Sequence, residues 1–146
     1  MARVSEATEG PRKSRSVPKK PTRSKLISSL DTVFSVWVRS KDADRAGRVE
    51  CYTCGISKPW KEVDAGHFQT RAKYSTRWDE QNVKPQCKHC NMTNGGHQYQ
   101  FALHLDQEYG PGTADEVVRR SNEMRKYSAV ELKELISLYL QKVSEL

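Results

Sequence analysis

Four cysteines, and only four, occur in 146 residues, as two pairs of identical spacing: Cys51-Tyr-Thr-Cys54 and Cys87-Lys-His-Cys90, with 32 residues between the pairs. A Cys-x-x-Cys turn offers two thiolates to one ion, and two such turns complete a tetrahedral sulfur shell, the chemistry of a structural zinc site with Zn–S bonds of about 2.3 Å. Gly55, just after the first pair, suits the backbone reversal such a turn needs. An iron–sulfur centre or paired disulfides are the other chemistries open to four cysteines. The opening stretch MARVSEATEGPRKSRS has no apolar central segment of the kind a secretory leader needs. No apolar run approaches the roughly 20 residues that span a bilayer. A cytoplasmic location without membrane attachment is therefore expected, and there disulfides are rare. Zinc is the preferred reading. With sulfur in all four positions it has no open place for a substrate, so it holds the fold and any reaction must lie elsewhere.

The 32-residue insertion is too long for a plain zinc hairpin, and it contains the polar stretch VDAGHFQT, residues 63–70. Closing the zinc shell brings the ends of the insertion together. That sets Asp64 and His67 on one extended segment beside NVKPQ on the next, and beside Asn91, which follows the last cysteine. Asp64, His67 and Asn91 can then converge. In a regular strand, residues three apart face opposite ways. A bulge at Ala65-Gly66 would turn Asp64 and His67 inward together; otherwise Asp64 serves to orient backbone or His67.

The positioning elements read as follows. Residues 1–23 combine Pro, Ser, Gly and like charges and form a flexible basic arm. Residues 24–40 carry Leu26, Leu30, Val33, Phe34 and Trp37 at helical spacing. VECYTCG reads as a strand entering the first cysteine turn, WKEVDAGHFQT as a second extended segment, RAKYSTRWDEQ as a charged surface loop, and NVKPQCKHC as a short strand and the second turn. From Asn91 the pattern is helical, with Tyr99, Leu103 and His104 on adjacent turns. Thr113 with Glu116, and Ser128 with Glu131, match the capping-box signature of two further helices. The last helix carries one apolar stripe of Leu132, Leu135, Ile136, Tyr139, Leu140 and Val143. It can pack within the monomer or supply a dimer interface.

The formal charge is +7, with a pI near 9.3 and a mean hydropathy of −0.83. Such a balance argues for a polyanionic partner and a modest core. Residues 1–25 hold eight basic side chains against Glu6 and Glu9, which is +6 of the total. Arg71, Lys73 and Arg77 interleave with Tyr74 and Trp78, and Lys84 and Lys88 follow. The cations can neutralise phosphates and the aromatics can stack on exposed bases. Each alone is equally well a solvated surface residue.

The series C-x2-C, then Gly-His, then Asn82 before a short strand, then C-x2-C-Asn opening a helix, resembles the HNH nucleases of the ββα-metal fold, including zinc-stapled forms such as phage endonuclease VII. A nearer resemblance is to the phage lambda NinG (Rap) recombination endonuclease family, carried by CYTCG, VDAGHFQTR and RWDEQNVKPQCKHCN. It extends over roughly residues 30–140. DAGH is also similar to the DRGH motif of Serratia-type nonspecific nucleases, whereas many HNH sequences place the acidic ligand directly before the histidine and here Gly66 stands there. The resemblance implies an α+β, mostly helical fold. A zinc-stapled ββα-metal core of about residues 47–108 would lie within a nuclease domain of 24–146, with C-terminal helices at about 113–145. It implies a metal-dependent DNA endonuclease that acts on branched DNA such as Holliday junctions, in a phage or prophage.

Phosphodiester hydrolysis needs a base for the water and a cation for the developing charge. His67 is then the base. The resemblance implies that Asn91, with Asp64 directly or through water, holds a catalytic Mg2+ or Mn2+, whose taste for oxygen sets it apart from the zinc. Asn82 matches the middle Asn of the HNH pattern, which implies that it ties the loop backbone to the histidine strand, and His97 is an accessory ligand candidate. His89 and His104 read as ordinary surface or core histidines. Cutting both strands of a junction would favour a homodimer. The competing readings are a non-catalytic zinc-bound DNA-binding or regulatory protein, and a structural or packaging accessory that docks on DNA through the arm.

Overall fold

Thr22 starts the first helix: its hydroxyl accepts a hydrogen bond from the Lys25 N–H at 3.2 Å, satisfying one of the orphan donors at a helix start. The computed structural model describes residues 2–4 and 10–146; Met1 and residues 5–9 of the basic arm lie outside the described residues. Helix α1, Arg23–Ser40, buries Leu26, Leu30, Val33, Phe34, Trp37 and Val38, the stripe its spacing predicts. That stripe packs on the last helix, α5, Ala129–Ser144. Phe34 meets Tyr139 edge-on at a centroid distance of 4.8 Å, and burying a ring of this size is worth about 2 kcal/mol.

Between these two helices the chain builds two small antiparallel sheets. Strand β1, Arg48–Glu50, pairs with β2, Ser57–Pro59, and the turn joining them carries Cys51 and Cys54. Gly55, at φ 76°, completes that turn and donates its N–H to the Cys51 carbonyl at 2.9 Å. After one turn of 3-10 helix at Trp60–Glu62, β3, Val63–His67, pairs with β4, Val83–Cys87. The chain then enters α2, Lys88–Met92, and α3, Asn94–Tyr109, followed by α4, Thr113–Ser121, and α5. The fold is therefore α+β and about half helical. No helix among the described residues is long and apolar enough to cross a membrane.

Several elements depart from their sequence expectation. The second extended segment is strand only over Val63–His67, because Trp60–Glu62 coils. Residues Asn94, Gly95, Gly96 and His97 all have positive φ, from 48° to 81°, so a left-handed turn separates α2 from the regular part of α3. Two of the four are glycines, which adopt this region freely. The buried face of α3 is Phe101 and Leu105, while Tyr99 is exposed. The Thr113–Glu116 capping box does not form: Gly112 is the N-cap, and Asp106 caps the Ala114 N–H at 2.9 Å. The Ser128–Glu131 box does form, with both reciprocal bonds. Finally, the α5 stripe is used against α1; Leu132 and Tyr139 are buried, and Leu140 faces solvent.

Candidate functional site

The four cysteines meet where the two strand pairs join. Their Sγ atoms all lie within 4.8 Å of one another, and Cys54 and Cys87 stand 3.9 Å apart. Tetrahedral geometry with 2.3 Å bonds demands about 3.8 Å between sulfurs. All four are free thiols, so two disulfides do not describe this group, and the set fits zinc. Three hydrogen bonds tie the centre to the rest. Tyr52 N–H donates to the Pro85 carbonyl of β4 at 2.8 Å. Fully buried Gln86 donates through Nε2 to Thr53 Oγ1 at 3.1 Å and to the Gly96 carbonyl at 2.9 Å.

The β3–β4 register runs without interruption from Val63 opposite Cys87 to His67 opposite Val83, so no bulge forms at Ala65-Gly66. Asp64 and His67 nevertheless line one cleft, of about 490 Å³, together with Asn91, Thr70, Arg71, Arg77 and the α1 residues Asp31, Phe34 and Ser35. The reason is topological. This sheet has only two strands, α1 packs beside β3, and the cleft is lined from α1 by Asp31, Phe34 and Ser35 and from β3 by Asp64, Ala65 and His67.

Within the cleft His67 is half-buried, and its Nε2 lies 3.0 Å from the Arg77 carbonyl. A carbonyl only accepts, so Nε2 carries the proton and the neutral ring keeps its lone pair on Nδ1. Burial holds the His67 pKa below the usual imidazole value, and the charges of Arg71 and Arg77 push the same way against the pull of the Arg77 and Ala65 carbonyls. Asp64 accepts from Asn91 Nδ2 at 3.1 Å and pairs with Lys88 at 2.9 Å. Asn82 is fully buried; it accepts from the Gln69 N–H at 2.7 Å and donates to the Gln69 and Thr76 carbonyls at 3.0 and 2.9 Å. It thus ties both ends of the loop between the strands.

The expected DNA-facing residues divide. Arg71 is exposed on the cleft lip, Lys73 reaches Asn122 Oδ1 at 3.1 Å, and Lys88 is exposed above Asp64. Arg77 and Lys84, by contrast, are buried. Arg77 makes a two-pronged pair with Asp31, Nε to Oδ1 at 3.0 Å and Nη2 to Oδ2 at 2.6 Å, and donates to the Arg71 carbonyl at 2.8 Å. Lys84 packs against Glu108 and Tyr109. Trp78 lies in the core and donates to Asp31 at 2.9 Å with Tyr74 edge-on to it, so it is no surface stacking platform. The loop 71–81 folds inward because a carboxylate on α1 needs these donors. Burial works against ionisation of Asp31, but the Arg77 guanidinium outweighs it and holds the acid below its usual range. Asp31 was missed in the sequence; its one signal is an acid within an apolar helical stripe.

His97 approaches Thr93 Oγ1 and the ring of exposed His89, outside the cleft lining. His104 contacts the Tyr52 carbonyl.

A family model described as the bacteriophage lambda NinG protein matches residues 3–146, nearly the whole chain. The chain belongs to the NinG family. Among curated NinG relatives, the protein of Escherichia phage lambda is 30% identical over 127 residues, covering 85% of this chain and 58% of its own length. Those of Escherichia phage 933W and Salmonella phage P22 are 30% and 29% identical over the same span, covering 59% of theirs. The chain thus matches somewhat under two thirds of the length of these NinG proteins. No solved structure matches it.

Proposed function

We propose that this NinG-family chain is a metal-dependent DNA endonuclease of the HNH class, built on a ββα-metal core formed by β3, β4 and α2. The observation that carries the proposal is the setting of His67: a half-buried imidazole, its pKa held down by burial, whose Nε2–H donates to the Arg77 carbonyl so that Nδ1 can act as the base, in a cleft it shares with Asp64 and Asn91. Nδ1 takes the proton of the attacking water. Arg71 on the lip meets the phosphate charge. Asn82 fixes the loop whose Arg77 carbonyl sets the tautomer of His67.

Asp64, and Asn91 through its amide oxygen, would hold Mg2+ or Mn2+; both are oxygen donors and already in contact. When bound, the cation supplies charge stabilisation to the phosphate and leaving oxygen. The Asn91 amide must turn over for its oxygen to serve, and Lys88 must leave Asp64. The zinc would hold both strand pairs in place. Branched DNA such as a Holliday junction, in the bacterial cytoplasm during phage recombination, is the substrate that the family resemblance suggests. Two incisions per junction call for a homodimer, although the α5 face is already covered by α1.

The competing reading, a zinc-stapled DNA-binding protein without activity, draws on the fact that Lys88 already sits on Asp64. Incubation with labelled duplex, single-stranded, nicked and four-way-junction DNA, in Mg2+, in Mn2+ and without either, separates the two. Divalent-dependent cutting, strongest on the junction, is expected. Tight binding without cutting in every lane would sink the nuclease.

A further inference from the structure

The segment that forms the cleft lip does not end there. Thr70 and Arg71 line the cleft, while Ala72, Lys73 and Tyr74 line a second depression of about 410 Å³, closed on its other side by residues 121–126 between α4 and α5. That inter-helix loop is held at three points. Lys73 Nζ donates to Asn122 Oδ1 at 3.1 Å, Asn122 Nδ2 donates to the Val118 carbonyl at 3.1 Å, and Arg23, the first residue of α1, donates to the Tyr127 carbonyl. Tyr127 is itself packed edge-on against Trp78 at 5.2 Å.

The charges on this loop run against those of its surroundings. Residues 91–146 carry 6 basic and 8 acidic side chains, yet Arg125 and Lys126 stand together, exposed, beside Lys73. Glu123, the one acid lining the depression, is turned to Arg119 at 2.7 Å. Arg125 pairs with Glu131 at 3.0 Å and lies over the Tyr127 ring. Lys126 has no hydrogen-bond or ion-pair partner among the described residues. From Arg71 the cations continue through Lys73 and Lys126 to Arg23, where the basic arm begins with Arg12, Lys13, Arg15, Lys19 and Lys20.

We propose that the depression between residues 72–74 and 121–126 is a second DNA-backbone site, continuous with the cleft, in which Lys73, Arg125 and Lys126 neutralise phosphates of the strand flanking the one held in the cleft. It rests on the nuclease reading only for which strand enters the cleft. The site reads charge and carries no base specificity, because nothing in its lining presents a fixed donor and acceptor pair to a base edge.

The test is binding, measured apart from cutting. Anisotropy titrations use the His67→Ala protein, a labelled linear duplex and no added divalent ion, at several NaCl concentrations. Each phosphate contact contributes about 0.9 to the slope of log affinity against log salt. Lys73→Ala with Lys126→Ala should therefore flatten the slope by about 1.8 and weaken binding on the order of 50-fold at 0.1 M salt. Lys126→Glu alone, at an unpartnered position, should flatten it by at least about 0.9 while leaving the fold intact. Lys133→Ala, on exposed α5, should leave it unchanged. Slopes equal to that of the parent in both Lys126 variants would overturn the proposal even if the wild-type chain cuts DNA. The expected slopes in a wild-type chain that never cuts would sink the nuclease reading and leave this surface standing.

Discussion

A β-carbon placed on Gly66 would meet Gln86 Oε1 at 1.9 Å, Cδ at 2.6 Å and Cγ at 2.8 Å. The Gly66 backbone is ordinary strand, outside the positive-φ set, so Gly66→Ala acts through this collision alone. Gln86 is fully buried and cannot swing into solvent without giving up its bonds to Thr53 and Gly96. Two lost buried hydrogen bonds cost about 1 kcal/mol each, and overpacking adds about 1–3 kcal/mol. The sum, about 3–5 kcal/mol, should lower the melting temperature by roughly 10–15 °C in a domain of this size. Gln86→Ala removes the same bonds and empties the space, so it should cost a similar amount. In that background Gly66→Ala should then cost close to nothing, a coupling of about 3 kcal/mol. Urea and thermal denaturation of the four proteins, with zinc held constant, measure this cycle. Equal costs for Gly66→Ala in both backgrounds would refute the steric argument, as would a cost under about 0.5 kcal/mol in the wild type.

The lowered pKa of His67 fixes the sign of two pH effects. Cleavage should rise with pH to an inflection below the usual imidazole value of about 6.5 and then stay level. Because the unfolded chain takes up the His67 proton first, stability should fall as pH drops from about 6.5 through the folded value, and His67→Ala should flatten that fall in urea midpoints. Stripping zinc with a chelator should release the β1–β2 turn from β4 and abolish the cooperative melt, with recovery on zinc addition; unchanged circular dichroism and melting after verified metal loss would contradict a structural zinc. Lys88→Ala frees Asp64 from an exposed ion pair worth up to about 1 kcal/mol, so the half-saturating Mg2+ or Mn2+ concentration for cleavage should fall about 2- to 5-fold; a rise would place Lys88 among the groups that help the ion bind.

What the sequence made legible was local or short-period. The cysteine quartet follows from two identical spacings, α1 from its apolar stripe, and the start of α5 from Ser128 and Glu131, three residues apart. What stayed hidden depends on partners distant in the chain. Arg77 looks like a surface cation until Asp31, 46 residues earlier, pulls it and Trp78 inward. Lys84 is buried only because Glu108 and Tyr109 return to it from the end of α3. Asp64 and His67 line one cleft along a regular strand, without the bulge that their spacing suggests. The capping box at Thr113 fails because Asp106, across the turn, supplies the acceptor first. Nothing in the spacing of Arg125 and Lys126 points to Lys73, 52 and 53 residues earlier; their position beside it exists only in three dimensions.

Single-turnover cleavage of a labelled four-way junction by the wild-type chain and by His67→Ala, in Mn2+ or Mg2+ at neutral pH, tests the central claim most directly. Zinc content and circular dichroism confirm that both are folded. A nuclease with His67 as its base should cut, and the variant should be slower by about 100-fold or more. Equal rates in the two proteins, or intact DNA with the folded wild type in every divalent ion, would contradict it.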